Sequence, residues 1–247
     1  QHDVQGSRAT SATAFALALI KNRYLAKTYS DAGMDLGNFS ASMQANVNKS
    51  LVSAVSHQSF QATEALNGSS KALGLEFGKN MSRTYANASM NRGEFASELY
   101  GKADGQGTLA MQLTGASQAN SAHSGSKAVN SQGDLALSEV QAEMASGSYE
   151  TRQKADAGVN ASVYQITNAT EALTGSALSR AESREGDRGN TSFTAVMQNG
   201  DFNNSIGAAA HDSNVSIYHK GYASSALIGT SAASAEDDSG SSASASV

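Results

Sequence analysis

The chain has 247 residues, a formal net charge of −5, and no cysteine, proline or tryptophan. The acidic balance argues against nucleic acid as a partner, since nucleic-acid binding needs a basic face. The missing cysteines exclude disulfides and thiolate metal sites. The longest apolar run, residues 15–20, is far shorter than the ~18 residues of a membrane span, so no membrane span is expected.

The composition favours a thin interior. Large apolar side chains are sparse, and Ser, Ala, Gly and Asn dominate. Such residues cannot fill a wide core at normal packing density, but they can fill the gap between two facing strands. The absence of proline indicates that backbone N–H groups are needed nearly everywhere, as in uninterrupted sheet ladders or long helices.

The N-terminal part leaves a helical alternative open. Apolar residues spaced by four occur twice, at Met43, Val47, Leu51 and Val55 and at Leu73, Phe77, Met81 and Tyr85. This spacing is typical of an amphipathic helix. The alternative prediction is therefore long α-helices in a fibrous assembly, especially over residues 10–100.

Two segments near the C-terminus match each other at a constant offset of 21 residues. Residues 192–205 and 213–226 share an alternating pattern that shifts after Gly200 and Gly221. This pattern predicts strand, tight turn, strand. A short fixed period is typical of units that bury their faces against each other.

Weaker sequence matches extend the pattern toward the N-terminus. Residues 91–96 and 131–136 resemble 198–203, and residues 62–69 resemble 169–176 at an offset of 107, about five periods. The prediction is an all-β chain, a β-solenoid of about ten stacked strand-turn-strand repeats of 20–22 residues. Three regions are expected: 1–90 with degenerate repeats or a partly helical segment, 91–230 as the repeat array, and 231–247 as a disordered Ser/Ala-rich acidic tail.

The matching segments resemble the curlin repeat of the curli family of bacterial extracellular amyloid fibres. Ser192, Gln198, Gly200 and Asn203 fit that repeat, and the next unit keeps Ser213, Gly221 and Ala226. His219 replaces the glutamine of the second unit. The resemblance implies stacked rungs, assembly from copies of the same chain, and a possible secretion or nucleating factor as a further partner.

Stacking explains the residue types in physical terms. Inward polar side chains can form hydrogen-bonded ladders between rungs about 4.8 Å apart, and glycine permits the turn. Asn203 is expected to point inward. The predicted ladder consists of Ser192, Val196, Gln198, Gly200, Asn203, Ser213, Ile217, His219, Gly221 and Ala226.

No catalytic constellation is present in the sequence. The five histidines show no metal-ligand spacing, and no nucleophile elbow or phosphate loop occurs. We therefore expect no enzyme activity, no cofactor and no metal site.

Asn-x-Ser/Thr sequons are frequent, although a Ser-rich alternating repeat generates them by itself. The possible glycosylation sites are Asn38, Asn48, Asn67, Asn80, Asn87, Asn160, Asn168, Asn190 and Asn214.

The expected function is that of a secreted structural protein at the cell surface or outside the cell. It would self-assemble into extracellular fibres, as a functional amyloid, for adhesion or biofilm and matrix formation. The alternative is a glycosylated, largely helical filament or silk-like extracellular matrix protein.

Overall fold

The computed structural model describes residues 2–20, 24–48, 53–76, 80–104, 107–157, 161–211, 214–237, 239 and 242–246. Within these ranges the chain forms eleven β-strands. They are β1 His2–Ile20, β2 Tyr24–Asn48, β3 Ser53–Glu76, β4 Met81–Asp104, β5 Gly107–Val129, β6 Leu135–Ala157, β7 Ala161–Glu182, β8 Arg188–His211, β9 Asn214–Ala223, β10 Ala226–Glu236 and β11 Ser242–Ser246.

The all-β prediction is confirmed, and the helical alternative for residues 10–100 is wrong. The described residues of that region lie in β1 to β4 and contain no helix. Residues four apart lie on one face of a strand as well as on one face of a helix. Met81 and Tyr85 both lie on the outward face of β4, so their spacing of four residues could not distinguish a strand from a helix.

The strands form one antiparallel sheet in chain order. Each strand from β2 to β7 pairs with the strands before and after it, and β8 pairs with β7, β9 and β10. The chain therefore reverses direction after each long strand. The predicted solenoid of about ten repeats is not confirmed, because this topology is an antiparallel meander.

Most of the strands are too long for a flat sheet and bend near their middles. The register shifts at residues 62–67 of β3, and shifts recur at the corresponding place in every pair from β1–β2 to β7–β8. Non-glycine residues with positive φ mark several of these corners, including Glu64, Gln118 and Glu171. Each long strand consequently contributes one half to each of two sheet layers.

The two layers pack face to face. The first layer contains residues 12–20, 24–33, 67–76, 81–90, 121–129, 135–143, 174–182, 188–197 and 226–236. The second layer contains the remaining halves of the same strands, together with β9. Ser70 Oγ of the first layer lies 2.7 Å from Ser97 Oγ of the second. The Phe193 and Phe202 rings, on either side of the β8 corner, stack with centroids 5.1 Å apart.

The corners reveal a tandem repeat of 53–56 residues, which is one hairpin of two bent strands. The pattern Ala-[Thr/Ser]-x-Ala begins at residues 9, 62, 116, 169 and 223, on odd-numbered strands and at the β9–β10 junction. The pattern Met-x-x-Gly-x-[Phe/Tyr] begins at residues 34, 90, 144 and 197, on even-numbered strands. The offset of 107 is therefore two hairpin periods and not five short ones.

The match of residues 131–136 to residues 198–203 has a different structural origin. Gly133 has a φ of +104° and lies in the hairpin turn between β5 and β6, whereas Gly93 and Gly200 lie at mid-strand corners. Similar residues thus occur both in a hairpin turn and at mid-strand corners. Treating these two kinds of site as one produced the predicted period of 20–22 residues.

The predicted regional boundaries have no counterpart in the strand order. β4 runs across residue 90, and β10 runs across residue 231. In the tail, Ala232–Glu236 of β10 pairs with Ser242–Ser246 of β11. The part of the chain that the structure describes contains no helix that is long and apolar enough to cross a membrane.

Candidate assembly site

The corners of β4, β6 and β8 are fixed by the same two kinds of contact with the next strand, a hydrogen bond and a close backbone approach. The N–H of the residue after the corner glycine donates to a hydroxyl on the next strand: Glu94 to Ser117, Ser148 to Thr170 and Asp201 to Ser224, at 3.0, 2.9 and 2.6 Å. This bond explains why Thr or Ser occupies the second position of the Ala-[Thr/Ser]-x-Ala pattern.

The glycine of the corner is required by close backbone approach. A Cβ on Gly93, Gly147 or Gly200 would lie 1.9, 1.8 or 2.0 Å from a carbonyl oxygen of the next strand. No side chain fits at that separation. The repeated glycine therefore sets how closely successive bent strands stack.

Large and small residues alternate along one inward row beside the corners. This aromatic row consists of Phe95, Ala116, Tyr149, Ala169, Phe202 and Ala223 on successive strands. The rings of Phe95 and Phe202 lie over Gly68 and Gly175 of the facing layer, where a Cβ would clash with them. The buried Tyr149 hydroxyl lies 2.7 Å from Ser124 Oγ, and burial raises the pKa of this phenol, so it stays protonated.

A second inward row carries glutamines. This glutamine row consists of Leu99, Gln112, Gln153, Gln165, Ile206 and His219, which are direct cross-strand partners from β4 to β9. Gln112, Gln153 and Gln165 are buried. The row is a side-chain ladder of the type that repeating strands permit.

The glutamine amides bond to hydroxyls on both layers. Gln153 Nε2 donates to Ser124 Oγ of the facing layer at 2.8 Å, and Gln165 Oε1 accepts from Ser138 Oγ at 2.8 Å. Gln112 Nε2 donates to Thr114 Oγ1 at 2.9 Å. The first two bonds join the two layers, and the third lies within β5.

The first predicted ladder unit lies on β8, and its residues before the corner point outward. Ser192 is half-buried, Val196 and Gln198 are exposed, and Gly200 is buried at the corner. The residues that point inward are their neighbours Thr191, Phe193, Ala195 and Met197. Asn203 is half-buried on the outer face, and Asn204 is the inward residue. A one-residue slip exchanges the two faces of a strand.

Most of the second unit lies on β9, where Ile217 and His219 are half-buried. Ile217 packs against the buried alanines of the second layer, and the His219 ring meets Phe193 edge-on at 5.8 Å. Gly221 lies beneath Phe193 in the strand rather than at a turn, and Ala226 begins β10. Ser213 lies outside the described residues. Burial lowers the pKa of His219.

Hairpin turns at one end of the molecule are bonded to one another. Asn80 Oδ1 accepts from the N–H of Ser131, and Asp134 Oδ1 accepts from the N–H of Arg184, at 2.8 and 2.7 Å. Asn80 and Asp134 occupy equivalent positions, 54 residues apart. Both are buried, so these turn bonds are part of the interior and link one hairpin to the next.

The predicted sequons differ in accessibility. Asn67 and Asn168 are exposed, and Asn87 and Asn190 are half-buried. Asn80 is buried and bonded to Glu76 and Ser131, so this structure leaves no room for a glycan on it. Asn38, Asn48 and Asn214 lie on strands, without a described side chain, and Asn160 lies outside the described residues.

The sheet ends in an uncovered edge at β9 and β10. β9 pairs only with β8, and residues 226–231 of β10 pair only with β8 among the described strands. Tyr218, Tyr222, Leu227 and Ile228 are 54–67% exposed there. An apolar edge of this kind can accept another strand.

Among the described residues, the histidines and acids form no group that could hold a metal ion. His123 Nε2 and the Tyr85 hydroxyl contact Glu139 Oε1 at 2.7 and 2.9 Å on the outer face of the first layer. His2, His57 and His211 lie on strands without a described side chain.

Sequence reasoning missed the corner contacts and Gln165. The Ala-[Thr/Ser]-x-Ala and Met-x-x-Gly-x-[Phe/Tyr] patterns that mark the corners were nevertheless present in the sequence.

Comparisons with protein-family models, with curated proteins and with solved structures found no match for this chain.

Proposed function

We propose that this chain is a secreted structural protein that assembles into extracellular fibres for adhesion or matrix building. The uncovered β9–β10 edge is the observation that carries the proposal. At this edge the inward rows end on residues that belong to them, with His219 at the end of the glutamine row. A further strand would extend those rows without any change in the packing pattern.

Each bent strand would act as one strand-turn-strand rung of the fibre, about ten per chain, as the curlin resemblance implies. Support comes from the hairpin repeat, the close stacking at the corner glycines and the inward polar rows. Edge strands present unpaired N–H and C=O groups, which favour pairing with another chain. Other copies of the chain are the proposed main partner, with a secretion or nucleating factor where the family analogy holds.

The alternative of a glycosylated matrix protein keeps one supporting observation, the exposed sequons at Asn67 and Asn168. Its largely helical form is not retained, since the described residues contain no helix.

Electron microscopy and fibre diffraction of the purified protein test the proposal. We expect fibres with a reflection near 4.8 Å, the spacing between hydrogen-bonded strands. Fibre fragments should seed the assembly of fresh protein. Protein that stays monomeric at high concentration, with seeds present, would contradict the proposal.

A matched pair of variants tests the edge itself. Leu227→Lys with Ile228→Lys adds two charges at the free edge, and Leu173→Lys with Thr174→Lys adds them at the equivalent positions of the interior strand β7. Charged residues on an edge oppose strand addition. We expect the edge variant to slow seeded assembly at least about tenfold and the control less than about twofold. Equal effects would reject the edge as the assembly site.

A further inference from the structure

The outer face of the first layer carries a concentration of positive charge in an acidic protein. Lys27, Lys71, Arg83 and Lys127 lie one on each of the successive strands β2 to β5. Lys27 and Arg83 flank Leu73, and Arg83 is the direct partner of Lys127. The chain as a whole has a net charge of −5, so this cationic face differs from the average surface.

These four cations have no acidic partner among the described residues. The neighbouring acids are already engaged: Glu139 with Tyr85 and His123, and Asp31 with the Thr13 hydroxyl at 3.0 Å. Like charges on adjacent strands repel one another. Four such charges on one face create an attractive field for an anion.

Two adjoining open grooves follow the cations across the strands. One has a volume of about 570 Å³ and is lined by Lys27, Tyr29, Lys71 and Arg83. The other has a volume of about 380 Å³ and is lined by Lys71, Arg83, Tyr85 and Lys127. Because both are lined by Lys71 and Arg83, the two grooves adjoin each other across the strands, and together they are called the channel below.

The floor and rim of the channel are apolar and aromatic. Leu73, Leu75 and Met81 line it, the Arg83 guanidinium lies 5.7 Å from the Tyr85 ring centroid, and the Lys27 ammonium lies 5.3 Å from the Phe15 ring centroid. A ligand for this channel therefore needs regularly spaced negative charges and flat, weakly polar faces between them.

We propose that this channel binds an acidic polysaccharide, an unbranched chain of uronic acid residues. Such a chain carries one carboxylate per sugar ring, and its C–H faces pack on aromatic and aliphatic side chains. Arg83 and Lys127 are adjacent partners one strand spacing (~4.8 Å) apart. Lys27 lies two strands from Arg83, and Lys71 lies two residues along β3 from their row. Charges separated in this way suit a ligand with one carboxylate per sugar. Duplex nucleic acid carries one charge per ~1.7 Å of axis, too dense for four cations on a protein of net negative charge.

This proposal does not depend on fibre assembly, because the channel lies within a single copy of the chain. The test is a titration of the folded, unassembled protein with a galacturonic acid oligomer at low ionic strength. The same oligomer in its methyl-esterified, uncharged form is the ligand control. We expect saturable binding of the acid form that weakens with added salt, and at least about tenfold weaker binding of the ester.

Two double variants with the same charge change separate this channel from general electrostatics. Lys71→Gln with Arg83→Gln removes two cations from the channel, and Arg152→Gln with Lys154→Gln removes two from the outer face of the second layer. We expect about a tenfold loss of affinity for the first and less than about twofold for the second.

Equal losses in both variants, or no binding by the unchanged protein, would overturn the proposal. Tighter binding of a thymidine oligonucleotide than of the uronic acid oligomer would also overturn it and would assign the channel to nucleic acid. Because all four substituted residues carry exposed or half-exposed charges and none belongs to an inward row, the strand signal in circular dichroism should be unchanged.

Discussion

At the scale of single residues, the corner glycines and the inward rows determine how the chain packs. The glycines allow a carbonyl oxygen to approach within 2.0 Å of where a Cβ would be. The inward rows place a few polar side chains among apolar ones, and Gln153 and Gln165 bond to hydroxyls of the facing layer. The corner glycines and the glutamines are not hydrophobic, so composition alone gives them little weight.

Substitution of a corner glycine should be far more damaging than substitution of a strand glycine. In Gly147→Ala the new Cβ would meet the Thr170 carbonyl oxygen at 1.8 Å, whereas in Gly115→Ala it would find nothing closer than 4.0 Å. We expect Gly147→Ala to lower the free energy of unfolding by about 2 kcal/mol or more and Gly115→Ala by less than about 0.5 kcal/mol. Urea denaturation measures both, and similar losses would contradict the corner geometry.

His219 should make stability depend on pH. Burial lowers its folded-state pKa below the ordinary value of 6.5, so the unfolded chain binds a proton more readily. The resulting stabilisation is present above about pH 6.5 and is lost as the pH falls toward the folded pKa. His219→Gln restores the residue type of the glutamine row and removes this titration.

The measurement is chemical denaturation of both proteins between about pH 7.5 and about pH 5. The stability of the unchanged protein should fall relative to that of His219→Gln as the pH is lowered. Parallel curves would show that His219 is not in the half-buried position described. Other titrating groups are common to both proteins and cancel in the difference.

At the scale of elements, the repeating unit is a hairpin of two bent strands joined to the next hairpin at corners and turns. In these turns, a buried side-chain oxygen of one turn accepts a hydrogen bond from a backbone N–H of the following turn. Asp134 does this for Arg184 at 2.7 Å. The Asp134 N–H in turn donates to Asn130 Oδ1 at 3.0 Å. Each turn therefore stabilises its successor.

Removal of the Asp134 carboxylate should loosen the turn that follows it. In Asp134→Ala we expect the amide of Arg184 to exchange its hydrogen about tenfold faster or more, since a charge-assisted bond contributes about 1.5–3 kcal/mol. Asp134→Asn keeps an acceptor oxygen and imitates Asn80 at the equivalent turn, so its effect should be smaller. Unchanged exchange at Arg184 in Asp134→Ala would contradict the linkage.

The sequence allowed the strands to be predicted, but not their register or period. Alternation and the absence of proline indicated sheets, and small residues indicated a thin interior between facing strands, which is how Ser70 and Ser97 lie. The predicted face of β8 differs from the structure because the ladder assignment followed the spacing of the polar residues. The set that lies inward includes Phe193, Ala195 and Met197 and is more apolar than the outward set, so the sequence did contain a signal for the other face.

The period was underestimated for a related physical reason. A bent strand and the antiparallel strand after it both have small polar residues at their corners. If the two kinds of corner are not distinguished, the apparent repeat is about half as long as the hairpin repeat. Only the different chemistry of the two corners, a hydroxyl acceptor on odd strands and a glycine on even strands, distinguishes them. His219 lies on the glutamine row, which places Gln112, Gln153 and Gln165 on successive strands of the second layer from β5 to β7.

At the scale of the whole molecule, one antiparallel sheet folds over at its corners to make two facing layers. The interior between them is thin and is shared by every hairpin, and it ends at the uncovered edge formed by β9 and β10. This architecture accounts for the sparse large side chains, since each layer needs only small residues and an occasional aromatic ring to fill the gap. It also leaves both outer faces free for charged and aromatic groups.

Cross-linking between the layers tests this architecture most directly. The chain has no cysteine, so Ser70→Cys with Ser97→Cys introduces a single pair where the hydroxyl oxygens lie 2.7 Å apart. A disulfide needs sulfur atoms about 2.0 Å apart. The control, Lys71→Cys with Glu98→Cys, has the same separation in sequence but places the thiols on opposite outer faces. We predict that oxidation of monomeric protein cross-links the first pair and not the second, and efficient cross-linking of the second pair, or failure of the first, would contradict the two-layer fold.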